Sequence, residues 1–396
     1  MSSCMFSQRT GWNLTPNRFT EAQRELHAAG GGLLDLTVSN PTRAGLRYDA
    51  EHILSSLSRP EAMDYDPQPK GLLSARESVA AYYCEKSGGA ESKPESIDPE
   101  SILLTTSTSE GYSYLFRLLC NPGDEVLVPK PSYPLFEFLA DLEDVTLVPY
   151  PLLYDHGWQV DFHSLYQAVS ARTRAAVVVH PNNPTGSYVS ARERDLLNAF
   201  CREHGLALIV DEVFLDYSLD GAARTSFSSN RDALTFTLSG LSKISGLPQM
   251  KLAWVVTSGP QSDTALGRLE VIADTYLSMS APIQLAAPVL LEQRGKLQPL
   301  LLERIRANLA QLDIQLARQK TCQRLEVEGG WCAVLRVPVT QSDEELAITI
   351  LRQASVLVHP GHFYDFPSDG YLIVSLLTPP AGFREGTERT MRLLNG

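Results

Sequence analysis

Between about residues 100 and 257, short apolar runs alternate with longer stretches in which apolar positions recur every three or four residues. Seven runs read as strands: 102–106, 125–128, 145–148, 175–179, 207–210, 235–238 and 252–256. Several are apolar at every position, the pattern of parallel strands buried on both faces. Their alternation with helical patterns predicts an α/β domain, a mostly parallel seven-stranded sheet between helices. Ligands of such sheets sit beyond the carboxyl ends of the strands, so the turns after 106, 179 and 210 are where chemistry is expected.

Residues 282–319 also read as helix, with Leu301, Ile305, Leu309 and Leu312 spaced to share one face. This stretch would connect the large domain to a smaller α/β domain. The glycine turn at 30–32 and the polar segment 87–94 read as solvated loops.

A chain of 396 residues with 43% hydrophobic and 20% charged residues is long enough for two domains, and its composition is that of a folded protein. The net charge of −12 and the lack of any Lys/Arg run disfavour nucleic-acid binding. No stretch has the roughly 18 apolar residues that a membrane span needs, and the first residues lack a signal-peptide pattern. Six cysteines (Cys4, Cys84, Cys120, Cys201, Cys322 and Cys332) show no CxxC pair and no metal-ligand spacing. Cys84, Cys120 and Cys201 fall in helix-like stretches and read as buried free thiols, which suits a reducing cytoplasm.

Three features order themselves along the large domain. Asn183 lies in the turn His-Pro-Asn-Asn-Pro-Thr-Gly, Asp211 directly follows an apolar run, and Lys243 stands among Ser239, Ser242 and Ser245. A lysine amine can form a Schiff base with an aldehyde, and desolvation can lower its pKa so that it also moves protons. Asp211 comes 28 residues after Asn183, Lys243 comes 32 after Asp211, and Lys251 eight later. This ordered set resembles the fold-type-I aminotransferases, class I/II, of the aspartate aminotransferase superfamily, over about residues 34–375.

The resemblance implies pyridoxal 5'-phosphate as cofactor, in a Schiff base with Lys243, with Asp211 against the pyridine nitrogen. It implies that Asn183 reaches the ring hydroxyl and the substrate carboxylate, and that Tyr133 stacks on the ring. Ser107, Thr108 and Ser109, which open a helical pattern after a strand, would receive the phosphate together with Ser239 and Lys251. A capping box would give Ser107 and Glu110 the same look. Tyr65, before Gly71, resembles a tyrosine that a partner subunit lends to the phosphate, which implies a homodimer with its active site at the interface. The resemblance also divides the chain into a cofactor-binding domain, 46–295, and a small domain made of 1–45 and 296–396.

Three positions depart from the family. Lys251 stands where an arginine grips the phosphate, keeping the charge without the bidentate fork. Phe214 replaces a tyrosine that hydrogen-bonds the ring hydroxyl. Ile373, two residues before Ser375, replaces the arginine that clamps a substrate α-carboxylate. Arg18 and His362 are the candidates by position to take over that clamp, and Trp331 is expected near the substrate. The function implied is transfer of an amino group between an amino acid or amine and a 2-oxo acid. A lyase, decarboxylase or replacement enzyme using the same chemistry is the alternative.

Overall fold

A computed structural model of the chain describes residues 5–28, 30, 32–87, 96–134 and 136–395. Cys4 and residues 88–94 of the segment expected as a solvated loop lie outside the described residues, while its first residue, Ser87, ends the helix Leu73–Ser87. The larger sheet is built from β1 (Ile102–Thr105), β2 (Glu125–Lys130), β3 (Thr146–Tyr154), β4 (Trp158–Val160), β5 (Thr173–Val179), β6 (Ala207–Asp211), β7 (Thr235–Gly240) and β8 (Ala253–Ser258). Their spatial order is β1-β8-β7-β6-β5-β2-β3-β4. The seven expected runs are all present, and the sheet carries an eighth strand, the three-residue β4, antiparallel at its edge. Only β4 and β8 run against the rest, so six strands end on one edge of the sheet.

The apolar runs follow from burial on both faces. Alternate residues such as Val177 and Ile209 face one layer of helices, including Thr108–Leu119 and Ser262–Tyr276. Their neighbours Val178 and Leu208 face another, including Ala191–His204. Side chains that alternate between two apolar layers leave few positions for a polar residue, and those present, such as Thr237 and Ser239 on β7, are small buried hydroxyls.

A second sheet joins Gln323–Arg324, Cys332–Arg336, Tyr371–Ser375 and His359–Pro360, in that order and all antiparallel. It packs against the helices Arg294–Leu316, Asp343–Ala354 and Pro380–Leu394. Leu301, Ile305 and Leu312 are fully buried there, as their spacing requires, and Leu309 packs at the margin. The expected helical stretch is two helices, Ala281–Glu292 and Arg294–Leu316. Phe19 and Ala22, near the start of the chain, share this core, and Leu34–Asp35 pairs in parallel with Val356–Leu357. Cys120, Cys201, Cys322 and Cys332 are free; Cys201 is buried, whereas Cys84 and Cys120 are half-buried.

Candidate active site

Asp211 is the last residue of β6, in register with Val179 on β5 and Leu238 on β7. Its carboxylate accepts from the Val213 N–H at 3.0 Å and from the Tyr112 hydroxyl at 3.3 Å. Both donors are neutral. Burial outweighs them and pushes the carboxyl up to about 6, in spite of Lys243 nearby.

Strand β7 runs directly into the one-turn helix Leu241–Ile244, which carries Lys243. A helix this short is not stable by itself, and its backbone is tied from outside. The Tyr217 hydroxyl donates to the Lys243 carbonyl at 2.6 Å, the Gln298 amide to the Ile244 carbonyl at 2.9 Å, and the Tyr48 hydroxyl to the Gly246 carbonyl at 2.8 Å. The Lys243 Nζ lies 4.8 Å from the centre of the Trp331 ring and 5.4 Å from that of Phe214, and makes a long bond of 3.4 Å to the Ser39 carbonyl. Burial pulls the amine down to about 8, against the opposing pull of Cys332 and Asp211.

The loop after β1 leads into the helix Thr108–Leu119, capped by the Ser107 hydroxyl, which accepts from the Glu110 N–H at 3.2 Å. The Glu110 carboxylate turns back to the Thr106 N–H at 2.6 Å rather than to that of Ser107, so the reciprocal half of the cap is displaced by one residue. The first N–H groups of a helix have no partner within it and carry its positive end, which suits an anion.

These elements border one cavity of about 520 Å³. Ser107, Thr108, Ser109, Tyr133, Asn183, Asp211, Phe214, Lys243 and Trp331 all line it, and so does Ile373. The Asn183 side chain has no hydrogen-bond partner among the described residues. Others of the expected residues lie elsewhere. Ser239 is buried and donates to the Glu212 carbonyl at 3.3 Å, while Ser242, one turn on, lines the cavity instead. Lys251 is exposed, with a left-handed backbone, and does not line the cavity. Arg18 pairs with Glu345 on the surface and does not line the cavity, and neither does His362, although His359 does. Tyr65 is 83% exposed and borders a separate surface cavity of about 300 Å³ with Leu277 and Gln284.

Thr37, Val38, Ser39, Cys332, His359, Tyr364 and Ser375 line the cavity without having been expected there. Residues 37–39 arrive because Leu34–Asp35 pairs with Val356–Leu357 and because the Ser375 hydroxyl donates to the Val38 carbonyl. No local pattern announces such remote pairings. For His359 a signal was present, since it lies three residues from His362 in the same segment.

The residues present fit pyridoxal phosphate. Among the described residues, a buried carboxylate whose hydrogen-bond donors are neutral, an amine brought toward neutrality, an amide without a side-chain partner and an open helix start match a ring nitrogen, an aldehyde, a ring hydroxyl and a phosphate.

The family described as aminotransferase class I and II matches residues 33–380. An alanine aminotransferase of Mycobacterium tuberculosis is 28% identical over 365 residues, covering 88% of this chain and 82% of that one. An LL-diaminopimelate aminotransferase of Syntrophobacter fumaroxidans is 26% identical over 394 residues, covering 96% and 97%. Among solved structures, an aminotransferase from Escherichia coli superposes with a TM-score of 0.85 at 24% identity, over 100% of this chain and 99% of that one, a likeness of fold.

Proposed function

Because the chain belongs to the class I and II aminotransferases, and is accordingly a transaminase, we propose that it works with pyridoxal phosphate held at Lys243 and Asp211. The cofactor supplies, when bound, an aldehyde that takes up the amino group and a ring that accepts the electron pair left behind by a departing proton. Lys243 Nζ would be the attachment point, and it would take the proton from the substrate Cα and deliver it to the carbon that was the cofactor's aldehyde carbon. Asp211 supplies the negative charge opposite the ring nitrogen. The Asn183 amide donates to the ring hydroxyl, and with Phe214 in place of a phenol it does so without help from that position. Ser107, Thr108 and Ser109 receive the phosphate at the helix start, and Tyr133 flanks the ring. Ser239 contributes through the Glu212 carbonyl it holds, and Lys251 through its charge alone.

Asn183 and Trp331 border the space left for an amino donor and a 2-oxo acid. Tyr65, exposed and outside the cavity of its own chain, would reach the phosphate of a second copy, giving a homodimer. Residues 46–295 would then form the cofactor-binding unit, closed by 1–45 and 296–396. No helix among the described residues is long and apolar enough to cross a membrane, and free cysteines support the reducing cytoplasm as the compartment.

The observation that carries this reading is that Lys243 and Asp211 border one cavity with the start of the helix Thr108–Leu119. Borohydride reduction followed by peptide mass analysis tests it. The adduct is expected on Lys243 and is expected to vanish, with turnover, in Lys243→Ala. A fully active Lys243→Ala enzyme would overturn the assignment.

A further inference from the structure

We propose that His359 and Tyr364 receive the carboxylate of the 2-oxo acid, and of an amino acid donor, in the Lys243 cavity. This rests on the reading that Lys243 holds the cofactor, and it gives the substrate a seat beside it. His359 lies directly across from Ile373, which pairs on its other side with Val334. Opposed residues of antiparallel strands turn their side chains to the same face, with Cβ atoms about 5 Å apart. That face bears Val334, Ile373 and Tyr364 in one apolar cluster. Ile373, His359 and Tyr364 border the cavity together with Lys243. The turn Gly361–Tyr364 carries the phenol back to the imidazole, and the Tyr364 carbonyl accepts from the Ser132 N–H at 2.9 Å. The pair is thereby tied to the loop of Tyr133, which flanks the cofactor ring on that reading.

The His359 Nδ1 and the Tyr364 hydroxyl are 3.1 Å apart and share one hydrogen, and Nε2 has no hydrogen-bond partner among the described residues. While the imidazole is neutral, the pair has one N–H or O–H left over, whichever atom donates. Protonation leaves it two, the Nε2–H and the phenol hydrogen, together with a positive charge. Two donors and one charge are the complement of a carboxylate. Burial favours the neutral imidazole before a ligand binds, so the charge comes with the ligand: a proton from solvent joins the ring as the carboxylate enters. The surroundings permit this. Asp35, on Leu34–Asp35, favours the charged form. Asp343, on the helix packed against this strand, is turned to the Gly370 and Tyr371 N–H groups, and His362 is exposed. Tyr133, Cys332, Asp211 and Lys243 border the same cavity, the last two engaged by the cofactor on the reading above.

The test begins by verifying the borohydride adduct at Lys243 on a portion of the cofactor-loaded enzyme. The unreduced remainder is titrated calorimetrically with 4-methylpentanoate and 4-methylpentanamide, which carry no reactive amine or ketone and differ in charge. Titrations are run at about pH 7.5, where a free imidazole is neutral, in PIPES and in triethanolamine. These buffers differ in ionisation enthalpy, so the difference in heat counts the protons taken up. The carboxylate is expected to bind with uptake of about one proton and the amide with none. His359→Phe is expected to abolish the uptake and to weaken the carboxylate roughly tenfold or more, with the amide nearly unchanged. Tyr364→Phe is expected to weaken the carboxylate and keep the uptake. A carboxylate that does not bind the wild-type enzyme, or binds without proton uptake, overturns this inference even where neither variant folds. Uptake and affinity that survive in His359→Phe, as a cation lent by a second copy would give, overturn it too, and all these results leave the cofactor reading intact. Absence of the Lys243 adduct overturns the cofactor reading itself, and is seen before any titration begins.

Discussion

Tyr217 holds Lys243 by its backbone: the phenol donates to the lysine carbonyl at 2.6 Å, while the phenol ring packs edge-on against Trp331 at 5.1 Å. One side chain therefore places both the lysine segment and the indole that faces its amine. Tyr217→Phe keeps the ring and removes the donor from a buried carbonyl. A loss of about 1 kcal/mol in urea unfolding is expected, with a smaller fraction of the purified enzyme carrying cofactor.

In the cofactor-free chain, Lys243 should react as a neutral amine at unusually low pH. Its acetylation by acetic anhydride, followed peptide by peptide, is expected to rise with a midpoint near pH 8. Exposed lysines should follow at about pH 10.4. A midpoint for Lys243 shared with the exposed lysines would contradict the burial described here.

Asp211 should trade stability against activity. Its carboxyl titrates near 6 in the fold, above the ordinary value of 3.8. Between those values this carboxyl binds more protons folded than unfolded, so its contribution to the stability of the cofactor-free protein falls as pH rises through the window. Asp211→Asn should remove that contribution, leaving the one from buried Glu212, whose carboxyl burial pushes up to about 7, and raise stability at pH 7 by something on the order of 2–3 kcal/mol. On the proposed reading, in which Asp211 is the counter-charge of the ring nitrogen, the same change should lower turnover on the order of 10²–10³-fold. Chemical unfolding at pH 4 and pH 7, with steady-state rates, checks both halves.

Gly186 closes the turn that begins at Asn183, with φ of +74°. A Cβ at this position would stand 2.4 Å from the Gly329 carbonyl oxygen. Gly186→Ala should cost at least about 1–3 kcal/mol from the backbone conformation alone, seen as a lower melting temperature. Because Gly329 lies two residues before Trp331, relief of the clash should also disturb the cavity wall, and activity should fall more than stability does.

The large sheet was legible because its strands are apolar on both faces, so that 175–179 and 207–210 stand out without any partner in view. The edge strand Trp158–Val160 was not legible: three residues with an exposed glutamine at the centre give no period. Site residues that leave a strand directly, such as Asp211, Lys243 and Ser107, could be placed because strand ends face the ligand in this architecture. Ser239 shows the limit of that argument. It lies on the strand itself, its hydroxyl turned to the Glu212 carbonyl. Ser39, Tyr364 and Ser375 owe their positions to contacts between distant parts of the chain, and a charge such as Arg18 finds its partner, Glu345, only in three dimensions.

The pairing of Leu34–Asp35 with Val356–Leu357 bears on how the protein is made. A ribosome releases residue 34 hundreds of residues before residue 357, so the early segment has no strand to join during nearly all of translation. The sheet that carries Asp211 and Lys243 can assemble first, open to solvent, and the wall formed by Val38 and Ser39 closes only after the late residues emerge. The cavity lined by Asp211 and Lys243 would thus gain its last wall only when nearly the whole chain has left the ribosome.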